Sequence, residues 1–316
     1  MVPRAFVKLF HDLATFPVPL RSGALAIGNF DGVHLGHARI VERLLARARQ
    51  VGGPAVVFTF DPHPVRLLRP DAAPPPLTWT NRKAELLARL GVDAVLAYPT
   101  DEALLALGPA EFFAEIICKQ LDARSLVEGP NFRFGRGRAG TIELLGKLAA
   151  AAGILVEVVE PVVVADEIVS SSRVRRLVAD GRVGEARRLL TEPYRVRGMV
   201  VHGAGRGAKI GFATANVDAI DTILPAHGVY AGRALVADRL WPAAINVGSN
   251  PTFGEQTPKV EAHLIGWHDP LYGSAVELDF LERLRGVERF AGVAELRDQL
   301  ARDVADAERI VAQYPT

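Results

Sequence analysis

The sequence predicts a doubly wound α/β domain followed by a small antiparallel β-barrel domain with a C-terminal helix. Three observations carry that expectation. In the first half, short apolar runs such as 25–27 and 55–60 alternate with stretches of 3.6-residue apolar periodicity, as expected of parallel strands joined by helices. From Tyr194 onward the pattern becomes short strands separated by Gly, Pro, Asn and Asp, which suits a barrel. The last stretch places Val293, Leu296, Leu300, Val304, Ala307 and Val311 on one stripe of a terminal helix. The composition changes near residues 185–193, so the domains are expected at 1–185 and 186–316.

A chain of 316 residues is long enough for about two domains. Its 37 basic and 36 acidic residues leave a net charge of +1, which argues against a dedicated nucleic-acid or membrane-surface binder. The single cysteine, Cys118, excludes an internal disulfide and a cysteine-cluster metal site. No uncharged apolar stretch reaches about 18 residues, and Lys8, His11 and Asp12 stand where a signal peptide would need an apolar core. A cytoplasmic protein follows as the expectation, and a weak homo-oligomer is the expected self-association.

Leu25, Ala26 and Ile27 form the first strand of interest, which breaks at Gly28 and gives way to a helix with Ile40, Val41, Leu44, Leu45 and Ala48 on one face. His34 and His37 open that helix three positions apart, beside its unpaired N–H groups and the positive end of its dipole. Such a corner suits a phosphate. Gly28 and Gly32 fit a tight turn, and Gly36 allows close packing of the helix start on the sheet or a nucleotide. A lone histidine there is more often a cap. Here Asp31, glycines and two histidines meet where open α/β sheets bind ligands.

The strand at 55–60 ends in Asp61-Pro62-His63-Pro64, and parallel strands bring their carboxyl ends to one edge, although His63 also reads as a plain turn residue. A Pro-rich connector at 70–76 precedes a helix at 81–90, a strand at 94–98, a helix from Pro109 to Gln120 and a strand at 125–128. The loop 129–140, GPNFRFGRGRAG, is either a flexible basic surface loop or a ligand loop. In the second reading arginines fork onto phosphates and an aromatic flanks a planar ring. A helix at 141–152 and a strand-rich stretch at 154–164 follow. The serines and arginines of 169–177, VSSSRVRRL, serve either as helix caps with a solvated face or as hydroxyls and charge for a triphosphate.

Strands are expected at 194–201, 213–217, 228–236, 240–247, 259–264 and 275–280. Residues 203–209, GAGRGAK, do not make a P-loop, because Ala208 replaces the second glycine and Ile210 the serine or threonine, but the glycines can still wrap a nucleotide. Thr214 and Asn216 share a strand face and read either as hairpin-end residues or as oxygen ligands for a hard cation such as Mg²⁺. In 259–264, KVEAHL, Glu261 faces away from the barrel core. It is solvated there or, if that face lines a cleft with Thr214 and Asn216, the natural general base for an alcohol.

Nine stretches, in order over nearly the whole chain, resemble the bifunctional bacterial riboflavin kinase/FMN adenylyltransferase family, also called FAD synthetase. They are GNFDGVHLGH at 28–37, TFDPHP at 59–64, the loop 129–140, VSSSRVR at 169–175, GMVVHGAGRGAKIGFATAN at 198–216, GVYA at 228–231, INVGSNPTFG at 245–254, VEAHL at 260–264 and LYG at 271–273. The resemblance implies a Rossmann-like HxGH nucleotidyltransferase domain and then a riboflavin kinase barrel. Riboflavin would become FMN in the barrel and FMN would become FAD in the first domain, both with ATP and Mg²⁺. It implies His34 and His37 as catalytic residues of the first domain, ATP binding there by Gly28, Phe30, Asp31, His34, His37, Ser170, Ser171 and Arg175, and flavin binding by Asp61, His63 and Asn131. For the kinase it implies Gly205, Gly207, Lys209, Thr214 and Asn216 on ATP, Thr214 and Asn216 on the metal, and Glu261 as base. Ala213 and Ala208 stand where the family commonly has proline and an arginine-like residue. HxGH alone leaves the acceptor open, so a transferase acting on another phosphate ester is the rival enzyme and a non-catalytic flavin-binding regulator the rival outside enzymes.

Overall fold

The computed structural model describes residues 8–68, 73–203, 205–248 and 259–314. They fall into two compact units, one made of 8–68, 73–74 and 79–170, the other of 75–78 and the residues from 171 onward.

The first unit is built on an all-parallel sheet of β1 (Lys8–Phe10), β2 (Ala24–Ile27), β3 (Ala55–Asp61), β4 (Ala94–Pro99), β5 (Ser125–Glu128) and β6 (Leu155–Val158). The connections carry α1 (Leu35–Val51), α2 (Pro64–Leu68), α3 (Thr80–Arg89), α4 (Glu102–Ala106), α5 (Pro109–Phe112) and α6 (Ile142–Ala151). Strand alternation sends Leu25, Ile27, Val56 and Phe58 to one face, where Phe112, Ile117 and Leu145 cover them. Ala24, Ala26, Val57 and Val95 turn to the other, against Val41 and Leu44 of α1 and Leu87 of α3. Both faces are therefore covered, as the apolar runs predict. The spatial order is β1-β4-β3-β2-β5-β6. It reverses at β2, with β3 on one side and β5 on the other, so the crevice beyond the ends of β2 and β5 is the topological switch point.

Three local features differ from the sequence expectation. The helix from Pro109 breaks after α5 into π-helical turns over Phe113–Gln120, with Leu121 N–H bonded to Ile116 O at 3.1 Å. The stretch 154–164 holds β6 and then one arm of an antiparallel hairpin, β7 (Val163–Val164) with β8 (Glu167–Ile168). Its turn needs positive φ at both Ala165 (52°) and Asp166 (59°), a conformation that Ala-Asp does not announce. Strand β1 is too short to show a period.

The second unit opens with α7 (Ser171–Ala179) and α8 (Val183–Arg187). Its barrel consists of β9 (Tyr194–Val201), β10 (Ala215–Asp218), β11 (Gly228–Val236), β12 (Arg239–Gly248), β13 (Lys259–Leu264) and β14 (Ala275–Arg285). It closes in the order β10-β13-β12-β11-β14-β9 with antiparallel neighbours throughout. The single-turn α9 (Arg206–Lys209) lies between β9 and β10, and α10 (Val293–Ala312) packs on β11, β12 and β14. The stripe of α10 differs from the apolar pattern at both ends of its logic. Val293 is exposed, whereas Asp303 is buried and accepts from Arg285 Nη2 at 2.7 Å. On the outer face of the barrel, beneath α10, buried Asp279 accepts from Arg195 Nη2 and Arg233 Nη2, each at 3.0 Å, and Arg233 Nη1 reaches Tyr314 O at 3.3 Å, tying down the end of α10.

Candidate active sites

Beyond β2 the chain lifts off the sheet through residues 28–34. Phe30 (φ 46°) and Val33 (φ 41°) adopt left-handed backbone that side chains of their kind rarely take, and both are buried. Such strain survives only where packing holds it. His34 caps α1, its Nδ1 accepting from His37 N–H at 3.3 Å. With Nδ1 accepting, the proton of the ring sits on Nε2. The His34 and His37 rings stack with centroids 3.6 Å apart, and Phe30 lies 4.9 Å from His37. The cap is thus one of the two histidines that the sequence singled out. Burial, followed by His34 and Lys83, pushes the His37 imidazole well below its ordinary range, so at neutral pH it is uncharged, and its Nδ1 is buried without a hydrogen-bond partner among the described residues. Gly36 serves His34 more than the sheet. A Cβ there would stand 3.1 Å from two atoms of the His34 ring.

Three residues at this edge went unremarked in the sequence. Lys83, only 7% exposed, donates from Nζ to Thr59 Oγ1 at 3.2 Å, and Thr59 Oγ1 donates to Asn29 O at 3.1 Å. Burial lowers the Lys83 ammonium below its usual range, with Asp31 and Asp61 opposing. The signal was a lysine in register with Leu86, Leu87 and Leu90 on an apolar helix stripe. The third is Glu128. Pairing of β2 with β5 stops at Leu25 and Leu126, and beyond it the Glu128 carboxyl accepts from Ile27 N–H at 2.7 Å. Burial pushes that carboxyl well above the ordinary range. Between the ordinary value and the raised one, the native state keeps a proton that the unfolded chain has released, so stability falls as pH rises through that window. Glu128→Gln keeps an acceptor for Ile27 and cannot ionise. Its melting temperature, measured against the parent by calorimetry, is expected to gain as pH rises from about 5 to about 8, and parallel curves would refute a buried titrating carboxyl.

The remaining residues of this half are more dispersed. Asp61 Oδ2 accepts from Thr80 Oγ1 at 2.6 Å, and His63 Nδ1 accepts from Val65 N–H at 3.1 Å at the start of α2, so His63 makes the turn that its prolines suggested. Asn131 is exposed on the loop beyond β5. Of the two aromatics of that loop, Phe134 is buried near Phe112, and half-buried Phe132 stacks on it with centroids 5.5 Å apart. Ser170 closes the first unit, while Ser171 and Arg175 belong to the second, where Arg175 Nε donates to Pro75 O at 3.2 Å.

In the barrel, Asn216 of β10, Glu261 of β13 and Asn246 of β12 stand directly opposite one another in register, so the three share a face. Val260, Ala262 and Leu264 are buried while Lys259, Glu261 and His263 are half-exposed, as the alternation predicts. The glycines of 203–209 fold against this face. A Cβ on Gly203 would overlap the Asn216 amide at 2.2 Å, and one on Gly207 would lie 3.7 Å from Thr214 Oγ1. Gly205 (φ 64°) turns the chain into α9, which ends at exposed Lys209. Beside it lies a cleft of about 490 Å³, walled by Ile210, Gly211 and Phe212 and by Ala294, Arg297, Asp298 and Ala301 of α10. Among the described residues no three His, Cys, Asp or Glu side chains gather as a metal site, and no helix is long and apolar enough to cross a membrane. Ala204, residues 70–72 of the connector and residues 249–254 of INVGSNPTFG lie outside the described residues.

A parallel sheet with stacked histidines at its switch point, joined to a closed barrel with a glycine-wrapped polar face, defines a two-domain nucleotide-dependent transferase. The FAD synthetase family model matches residues 18–173, and the riboflavin kinase model matches residues 190–311. A bifunctional riboflavin kinase/FMN adenylyltransferase of Escherichia coli (strain K12) is 35% identical over 298 residues, covering 94% of this chain and 95% of that one. The protein of the same name from Bacillus subtilis (strain 168) is 34% identical over 291 residues, covering 90% and 91%. A crystal structure described as a macrolide-efflux protein from Streptococcus pneumoniae matches with a TM-score of 0.85 at 30% identity, covering 96% of this chain and 98% of that one. The chain belongs to the bifunctional riboflavin kinase/FMN adenylyltransferase family, with its FAD synthetase domain N-terminal and its riboflavin kinase domain C-terminal.

Proposed function

We propose that this protein converts riboflavin to FMN and FMN to FAD at two separate sites, divided as 1–185 for adenylyl transfer and 186–316 for the kinase. The observation that carries the reading is that each unit holds its own cluster: His34 stacked on His37 at the start of α1, and Asn216 beside Glu261 under the 203–209 glycines.

For adenylyl transfer, an FMN phosphate oxygen bonds to the α-phosphorus of ATP as the bond to pyrophosphate breaks. A phosphate monoester has a second pKa of about 6, so the nucleophile is already ionised and needs no base. Catalysis is then alignment and charge stabilisation. In this reading His34 Nε2–H, neutral His37 and the α1 N–H groups donate to the phosphates, with Gly28, Phe30 and Asp31 around ATP. Ser170, Ser171 and Arg175 add phosphate contacts, and Asp61, His63 and Asn131 meet the flavin. Gly36→Ala should test the alignment. Alanine favours the helix by about 0.5–1 kcal/mol but displaces the His34 ring, so the variant should be as stable as the parent while FMN adenylylation falls about tenfold. A parental rate, read by chromatography of FAD, would count against that steric argument.

In the kinase, the 5′-hydroxyl of riboflavin attacks the γ-phosphorus of ATP, its proton passes to the Glu261 carboxylate, and ADP leaves. Gly205, Gly207 and Lys209 hold phosphates. Thr214 and Asn216 offer neutral hard oxygens, which suit Mg²⁺ because that ion takes few protein ligands alongside phosphates. Bound there, Mg²⁺ would neutralise phosphate charge. The cleft beside Phe212 has a volume in the range of small-molecule sites and is the proposed seat of the flavin ring. The proposal includes a cytoplasmic location, where ATP is available, and a weak homo-oligomer.

Incubation with riboflavin and MgATP, followed by separation of the flavins, should yield both FMN and FAD. FAD appearing only from added FMN would overturn the kinase half, and tight flavin binding without product would overturn both.

A further inference from the structure

The geometry points to Lys83 as a positioning residue for adenylyl transfer, acting through Thr59 on the backbone of the loop that presents His34 and His37. This rests on the adenylyl-transfer reading of that loop. Lys83 sits on the buried stripe of α3, where leucine or methionine would pack without the desolvation of an ammonium, so packing does not account for it. Its Nζ donates to Thr59 Oγ1 at 3.2 Å, and Thr59 is fully buried on β3. A hydroxyl has one proton. With the ammonium supplying a donor from one side, that proton is directed to Asn29 O, 3.1 Å away. Asn29 immediately precedes Phe30, the first of the positive-φ residues in the loop, and conformations of that kind persist only where their surroundings hold them. Asp31 in the same loop and Asp61 at the end of β3 lie within the field of the ammonium. One cation thus ties α3, the end of β3 and the strained loop together beneath the two histidines.

The test uses the full-length chain with Lys83→Met, Thr59→Val and Thr59→Ser, assayed for both reactions below each variant's melting transition. Lys83→Met and Thr59→Val should lower kcat for FMN adenylylation about ten- to a hundredfold, with KM for ATP and FMN within about threefold of the parent. Thr59→Ser, which keeps the hydroxyl and loses a buried methyl, should keep kcat within about threefold. FMN formation from riboflavin should stay parental in all three. A merely structural role would make the rate follow melting temperature rather than the hydroxyl. Parental kcat in Lys83→Met, equal impairment of both Thr59 variants, or a loss confined to KM overturns the inference, and the Thr59 pair decides it should Lys83→Met fail to fold. His37→Ala separates the two readings: if it too leaves FAD formation intact, the adenylyl-transfer reading itself fails, whereas an inactive His37→Ala beside a parental Lys83→Met refutes the role of Lys83 alone.

Discussion

His37→Ala is expected to lower FAD formation from FMN by at least about a hundredfold while FMN formation from riboflavin continues at the parental rate. The size follows from what the ring supplies. An imidazole kept uncharged chiefly by burial, with His34 and Lys83 acting in the same direction, is a fixed donor that needs no reorganisation when charge builds on the transferring phosphorus. Its loss also removes the stacking partner of His34, whose Nδ1 accepts the cap hydrogen bond at 3.3 Å. Steady-state assays of the two half-reactions, each started from its own flavin, make the measurement. If the variant, folded by circular dichroism, lost both activities, the assignment of two independent sites would be wrong.

The opposite split is expected for Glu261→Ala. FMN formation should fall about 10²- to 10⁴-fold, the range for removal of a general base, while FAD still forms from supplied FMN. Glu261→Gln should behave alike, since the amide preserves the shape of the row Asn216, Glu261, Asn246 and removes only the ability to take a proton. A Glu261→Gln variant that keeps parental kcat would show that the hydroxyl needs no base from this side chain.

These two positions were legible because periodicity exposes them. His34 and His37 stand where an apolar strand changes to a 3.6-residue pattern, and Glu261 stands in an alternating strand whose apolar members must be inside. Glu128 was hidden in the same kind of pattern, because a carboxylate at the end of an apolar strand reads as the first solvated residue of a loop. Burial reverses that reading only once β2 and β5 part at Leu25 and Leu126 and leave Ile27 N–H without a strand partner. Phe134 shows the converse case. An aromatic in a glycine-rich loop reads as available to a ligand, yet the close approach of Gly140, where a Cβ would lie 2.6 Å from the Phe134 ring, lets that ring turn into the core.

By itself the sequence determined the order of this protein, a parallel α/β unit and then a barrel, and it singled out the paired histidines and the Thr-x-Asn and Glu261 stretches as candidates, because each depends on spacing within one or two adjacent elements. Only the tertiary structure decided which polar groups support them. Lys83 meets Thr59 and Thr59 in turn meets Asn29, across α3, β3 and the loop after β2, and Asn246 pairs with Glu261 across β12 and β13. Such meetings follow from strand order and register. Those are set by packing among segments far apart in the chain, where local period carries no information.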